Sequence, residues 1–116
     1  MQLSWIKCHG DTWCSLRNVD LGHAHFDQME GVYIIWHMGN PAQTVRVGQG
    51  VIRDRLQAHR NDPKVQAYAY LGLSVTWAEV TGPYRDGVEA YLASQLNPLV
   101  GERFPARLPI AVNMPW

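Results

Sequence analysis

Hydrophobic positions along this chain fall into short runs whose spacing predicts strands and two helices. Val32-Tyr33-Ile34-Ile35-Trp36 is β-branched and aromatic, a composition that fits a buried strand. Within it Val32, Ile34 and Trp36 point one way and Tyr33 and Ile35 the other, because side chains alternate along a strand. Gly39, Asn40 and Pro41 punctuate a turn, and Val45-Arg46-Val47 reads as the returning strand. That strand is expected to stop at Gly48-Gln49-Gly50, where the backbone is free to turn sharply or to approach a ligand closely. Residues 51–59 predict a helix with Ile52 and Leu56 on its buried stripe, broken at Asn61-Asp62-Pro63. Residues 73–80 alternate cleanly and predict a third strand, with Leu73, Val75 and Trp77 on one face. A second helix is expected over residues 87–95, ahead of Asn97-Pro98. Asp86 is its expected N-cap, and Glu89, three residues on, completes a capping box.

The segments around these elements are less periodic. Residues 3–7 and 13–17 flank His9-Gly10-Asp11, which has turn chemistry, so an N-terminal hairpin is expected to pair with or cover an edge of the sheet. Cys8 and Cys14 lie near the two ends of that turn. Two small buried hydrophobes are the expected reading, as for most cytosolic cysteines. A cross-hairpin disulfide suits an oxidising setting, and the spacing is wider than the tight pairs of structural zinc sites. Residues 22–30 are polar and irregular, with His23 and His25 expected in solvent. Residues 64–72 fit a short helix or extended chain equally. The proline-rich tail offers Ile110-Ala111-Val112 as a short edge strand or a wrap over the sheet.

Together these elements predict an α/β fold of the α+β kind: a small central antiparallel or mixed sheet flanked by helices, with an added N-terminal hairpin. The length of 116 residues suits a single domain, with residues 1–30 as hairpin and loop and 31–116 as core. Ten basic and ten acidic residues cancel, so no global field draws in nucleic acid. Yet Arg46, Arg53, Arg55, Arg60 and Lys64 fall close together, opposed locally by Asp54 and Asp62, which is a local basic face. No apolar run is long enough to span a bilayer, and a basic-then-apolar leader is missing. The expected location is the cytoplasm, with no membrane partner. Five tryptophans in so small a chain leave room for a homodimer contact.

Arg55 and His59 are one helical turn apart, so they face the same way. This helix, the preceding hairpin and Gly31-Val32-Tyr33 resemble the catalytic core of the GIY-YIG nucleases. That family carries Gly-Ile-Tyr and Tyr-Ile-Gly on two strands, then Arg and often His on a helix, then a metal-binding Glu on a later helix. Here Gly31-Val32-Tyr33 matches the first tripeptide, Arg55 and His59 the helix, and Glu89-Ala90-Tyr91-Leu92-Ala93 with Asn97-Pro98 the layout around the glutamate. Arg46-Val47-Gly48 occupies the second tripeptide with Arg in place of Tyr, and Gly101 stands where the family has Asn, with Asn97 and Asn113 as candidate substitutes. The resemblance begins at Gly31 and leaves the N-terminal hairpin outside it.

The resemblance implies a metal-dependent endonuclease that hydrolyses DNA phosphodiester bonds with Mg²⁺ or Mn²⁺. Glu89 would hold the ion, a hard cation that prefers oxygen ligands. Arg55 would bind the phosphate and stabilise charge growing on it. Tyr33, its pKa lowered by a cation and an arginine, would take a proton from the attacking water, with His59 sharing or relaying it. Arg46, Gly48, Gln49, Arg53 and Arg60 are the expected substrate-binding residues. This reading requires the phenol, the guanidinium and the carboxylate to share one hollow on one side of the sheet. The alternatives are a catalytically inactive module of the same fold that binds nucleic acid or protein, and an α/β interaction domain with a coincidental likeness.

Overall fold

A computed structural model describes residues 1–101 and 104–116. Its sheet has four strands in the order β1-β4-β2-β3, and every pairing is antiparallel. The strands are β1 (Cys14–Ser15), β2 (Glu30–His37), β3 (Gln43–Val51) and β4 (Leu73–Glu79). The helices are α1 (Ile52–Arg60), the short α2 (Pro63–Gln66) and α3 (Gly82–Leu96). The expected α+β class is the one observed.

Alternation along β2 sorts the core into two layers. Tyr33 and Ile35 join Val75 and Trp77 against Ile52 and Leu56 of α1 and Val65 of α2. Val32, Ile34 and Trp36 join Val47 against Val88 and Leu92 of α3, with Val112 of the tail. The sheet is thus sandwiched, α1 on one face and α3 on the other.

Three expectations change. β3 does not stop at the glycines but runs through them to Val51, because Gly31, Val32 and Tyr33 of β2 pair with Gly50, Gln49 and Gly48. Helix α3 begins at Gly82, so Asp86 lies inside it and no capping box forms. Thr81 is the N-cap and Pro83 occupies the first turn, where its fixed φ suits a helix and its missing N–H has no partner to lose. The N-terminal hairpin reduces to one bridge, Cys8 to Thr12, since its arms bond to β4 instead. The Ile6 N–H donates to Trp77 O at 2.9 Å and the Leu16 N–H to Leu73 O at 3.0 Å, so the segment covers the sheet's edge as expected.

Cys8 and Cys14 are joined in a disulfide, correcting the reading of two free buried thiols. Residues 64–72 resolve into α2 and a 3₁₀ turn over Ala69–Leu71. Residues 110–112 form no strand. The Ile110 N–H donates to Gly87 O and Val112 is buried under α3, so the tail wraps that layer. Among the described residues, no helix is long and apolar enough to cross a membrane.

Candidate functional site

Tyr33 points from β2 toward the α1 layer, and its partner in register on the outer strand is Gly48. A Cβ at Gly48 would come within 2.2 Å of Tyr33 Oη, so the phenol crosses over β3 where that strand has no side chain. The glycine expected to admit a ligand admits this ring instead. Beyond Gly48, Oη meets Nε2 of His59 at 2.5 Å.

His59 sits in the last turn of α1 and is only 8% exposed. Burial, then the Arg46 charge, and more weakly that of Arg55, push its pKa down to about 4, while Asp62 pulls the other way. The imidazole is therefore neutral at neutral pH. Its Nδ1 is buried without a hydrogen bond and looks toward Asp62 Oδ2 at 3.9 Å. That carboxylate favours the proton on Nδ1, leaving Nε2 to accept from the Tyr33 hydroxyl, a tautomer inferred from these neighbours.

Tyr33 is not primed as a phenolate. Burial raises its pKa above the ordinary tyrosine value, and the Glu89 charge adds to that. The charge and hydrogen bond of Arg46, and the charge of Arg55, pull the other way without overcoming it. The expectation of a lowered pKa is corrected: a ring 1% exposed loses more by desolvation of its anion than nearby cations restore.

Arg55 is exposed, with its stem lying over Gly50, whose φ of +128° disfavours a side chain. No hydrogen bond or ion pair to its guanidinium is present among the described residues. Glu89 is mostly buried. Gln49 Nε2 donates to Asp86 Oδ1 at 2.6 Å and to Glu89 Oε2 at 3.4 Å. Burial raises the Glu89 pKa and the Asp86 charge adds to the rise, while Gln49 and Arg46 oppose it.

These placements qualify the expected constellation. The helix bearing Glu89 packs on the face opposite Tyr33 and α1, and Gln49, the residue its carboxylate meets, shares that face through its register with Val32. Glu89 belongs to the site only around the edge of β3, where its charge still acts on Tyr33 and that of Arg46 acts on both. Among the described residues, none of the well-formed hollows is lined by Tyr33, Arg55 and Glu89 together. One hollow is lined by Arg46, Asp62, Lys64, Tyr68 and Gly101.

Arg53 and Arg60 leave the candidate site. Arg53 donates to the carbonyls of Leu21 and His23 and to Asp27, and Arg60 to those of Leu16 and Val19, so both hold the N-terminal segment against α1. Gln49 serves the two carboxylates rather than an open surface. Asn113 is paired with the backbone of Leu3 and Asn97 is the left-handed cap of α3, so neither replaces the missing asparagine. Gly101 instead lies against Arg46, where a Cβ would meet Nη1 at 2.6 Å. Asp62 and Asp86 are additions to the site, and the only trace of either in the sequence is an acid three residues from His59 and from Glu89.

The class defined so far is an α+β sandwich with a Tyr–His pair, two arginines and a carboxylate at the rim of its outer strand. No family model, curated protein or solved structure matches the chain.

Proposed function

We propose that this chain is a metal-dependent endonuclease that hydrolyses DNA phosphodiester bonds at a GIY-YIG-like site, with Mg²⁺ or Mn²⁺ as the ion, the site being assembled around the edge of β3 with Glu89 reaching it from the opposite face rather than within one shared hollow. The observation that carries the reading is the 2.5 Å contact between Tyr33 Oη and His59 Nε2, made to an imidazole held neutral beside Arg46 and Arg55. A neutral imidazole is the proton acceptor that a high-pKa phenol needs. As Tyr33 passes its proton to His59 Nε2, its oxygen takes one from the attacking water, so the phenolate never has to stand alone. Arg55, exposed to solvent, grips the scissile phosphate with its planar fork. The Asp86 and Glu89 carboxylates share one amide donor, Asp86 also pairs with Arg107 at 3.7 Å, and the oxygens of these two acids are those that would hold a hard cation retaining several waters. Such an ion supplies charge neutralisation to the reacting phosphate. Arg46 contributes a fixed positive charge where the family has a phenol. The cytoplasm is the location that goes with this substrate.

Two observations favour a second reading, an inactive module that binds nucleic acid through the same rim: Tyr33 is 1% exposed, and α3 lies behind the sheet. Relaxation of supercoiled plasmid with Mn²⁺ or Mg²⁺ separates the two. Tyr33→Phe, Arg55→Ala and Glu89→Gln are each expected to slow nicking by roughly 10²-fold or more, as for loss of a general base or a transition-state cation. Metal-dependent nicking that all three variants retain removes these residues from the chemistry. Salt-sensitive binding without nicking selects the inactive module.

A further inference from the structure

A hollow of about 660 Å³ adjoins the Tyr33–His59 pair without containing it. Among the described residues its wall carries two cations, Arg46 and Lys64, and one carboxylate, Asp62. Arg46 forms no ion pair among the described residues, and its Nε is buried with no acceptor. Lys64 likewise has no carboxylate partner among the described residues. Asp62, the acid on this wall, is already engaged: Oδ1 accepts the Lys64 backbone N–H at 3.0 Å and Oδ2 turns to His59. Nε itself is closed off from the hollow, so an anion there would meet the terminal nitrogens of Arg46, of which Nη1 lies beside Gly101 on the same wall. The ring of Tyr68, also on the wall, is backed by His37 in a parallel stack, 5.7 Å between centroids and 10° between planes. It is therefore a ledge held in place.

The geometry points to this hollow as a second nucleotide subsite, in which Arg46 and Lys64 hold a phosphate next to the one at Tyr33 and a nucleobase lies on Tyr68. The inference rests on the nucleic-acid reading above and deepens it, giving Arg46 a role the tyrosine it replaces does not have. Aromatic ledges beside cationic grooves hold single-stranded bases without sequence preference. The strand passing from Arg55 to Lys64 is thus unpaired at this point.

The test is an amide-resolved NMR titration of the full chain with thymidine 5′-monophosphate and, separately, with inorganic phosphate, in the absence of metal. Saturable shifts are expected at Lys64, Tyr68 and Gly101, with the nucleotide bound more tightly than phosphate. Lys64→Glu weakens nucleotide binding by about tenfold, the scale of a near-surface charge reversal. Asp62→Asn keeps the α2 cap, since Asn caps as well as Asp, yet tightens binding by removing the wall's negative charge. Tyr68→Leu erases the preference for nucleotide over phosphate. Equal affinity for both probes, no shifts at these amides, or an Asp62→Asn variant that binds no better overturns the subsite. Plasmid nicking measured in parallel keeps the two readings apart: nicking with an unresponsive hollow sinks the subsite alone, and a responsive hollow without nicking sinks the nuclease alone.

Discussion

A methyl group at position 48 would stand 2.2 Å from Tyr33 Oη and 2.4 Å from Cζ, so Gly48→Ala must displace the phenol from His59. The variant is expected to lose roughly 1–3 kcal/mol in urea unfolding, the usual range for overpacking, and to lose nicking with it. Because the clash is with the ring as much as the hydroxyl, Tyr33→Phe gives no relief, whereas Tyr33→Leu does, so only the latter shows a favourable coupling with Gly48→Ala in a double-mutant cycle. At His59, Asp62→Asn removes the charge that supports protonation, and the imidazole pKa followed by NMR is expected to fall further below its present value of about 4. The directions of Tyr33 and His59, which meet at 2.5 Å, were legible from strand alternation and the helical turn, while their selection with Arg55 as site residues came from the resemblance. The burial of Tyr33 against Gly48 was not, since it depends on which residue of β3 stands opposite. The roles of Arg53 and Arg60 were hidden for a related reason: a guanidinium on a helix border looks the same in sequence whether it meets solvent or a distant carbonyl.

Elements β2, β4 and α1 were legible within a residue or two, their hydrophobic periods being long enough to decide. β3 and α3 were misjudged at the points where glycine and proline carry two meanings. Gly48 and Gly50 stay in a strand because β2 supplies ladder partners, and Pro83 lies in the first turn of a helix that begins five residues before the expected start at residue 87. The N-terminal segment tests how much non-local clamps matter. Arg60 donates from its guanidinium to two carbonyls of that segment, and Arg60→Met is expected to lower stability by about 2 kcal/mol, the scale of hydrogen bonds from a charged donor, while nicking continues. The Cys8–Cys14 bond closes a short loop, with a sequence separation of 6, in the same segment. Reduction, or Cys14→Ser, is expected to lower stability in urea by about 2 kcal/mol, with the loss read first at the amides of Ile6 and Leu16.

For the molecule as a whole, three displaced proton affinities set opposing limits on stability. The folded pKa of His59 lies below its unfolded value of 6.5 at about 4, so the unfolded chain binds more protons between those values. Stability is therefore complete above pH 6.5 and falls as pH drops toward 4, by about 3 kcal/mol for this group. Glu89 and Tyr33, both raised by burial, act in the opposite sense. Glu89 contributes fully below its ordinary value of 4.5 and loses its contribution as pH rises, and Tyr33 does the same above 10.0. Urea midpoints measured across pH are expected to show the acid-side decline in the parent and its absence in His59→Gln. Glu89→Gln is expected to be more stable than the parent at neutral pH and inactive. The tail supplies one more constraint at this scale. Leu99 and Val100 donate their N–H groups to Thr44 O and Val45 O of β3, so the rim strand already has a neighbour at that end. A second chain arriving there to prolong the sheet finds those carbonyls taken, which guards against edge-to-edge stacking into fibres. Val100→Pro strips one of the two bonds, and light scattering of that variant should rise with time and concentration while the parent solution stays clear.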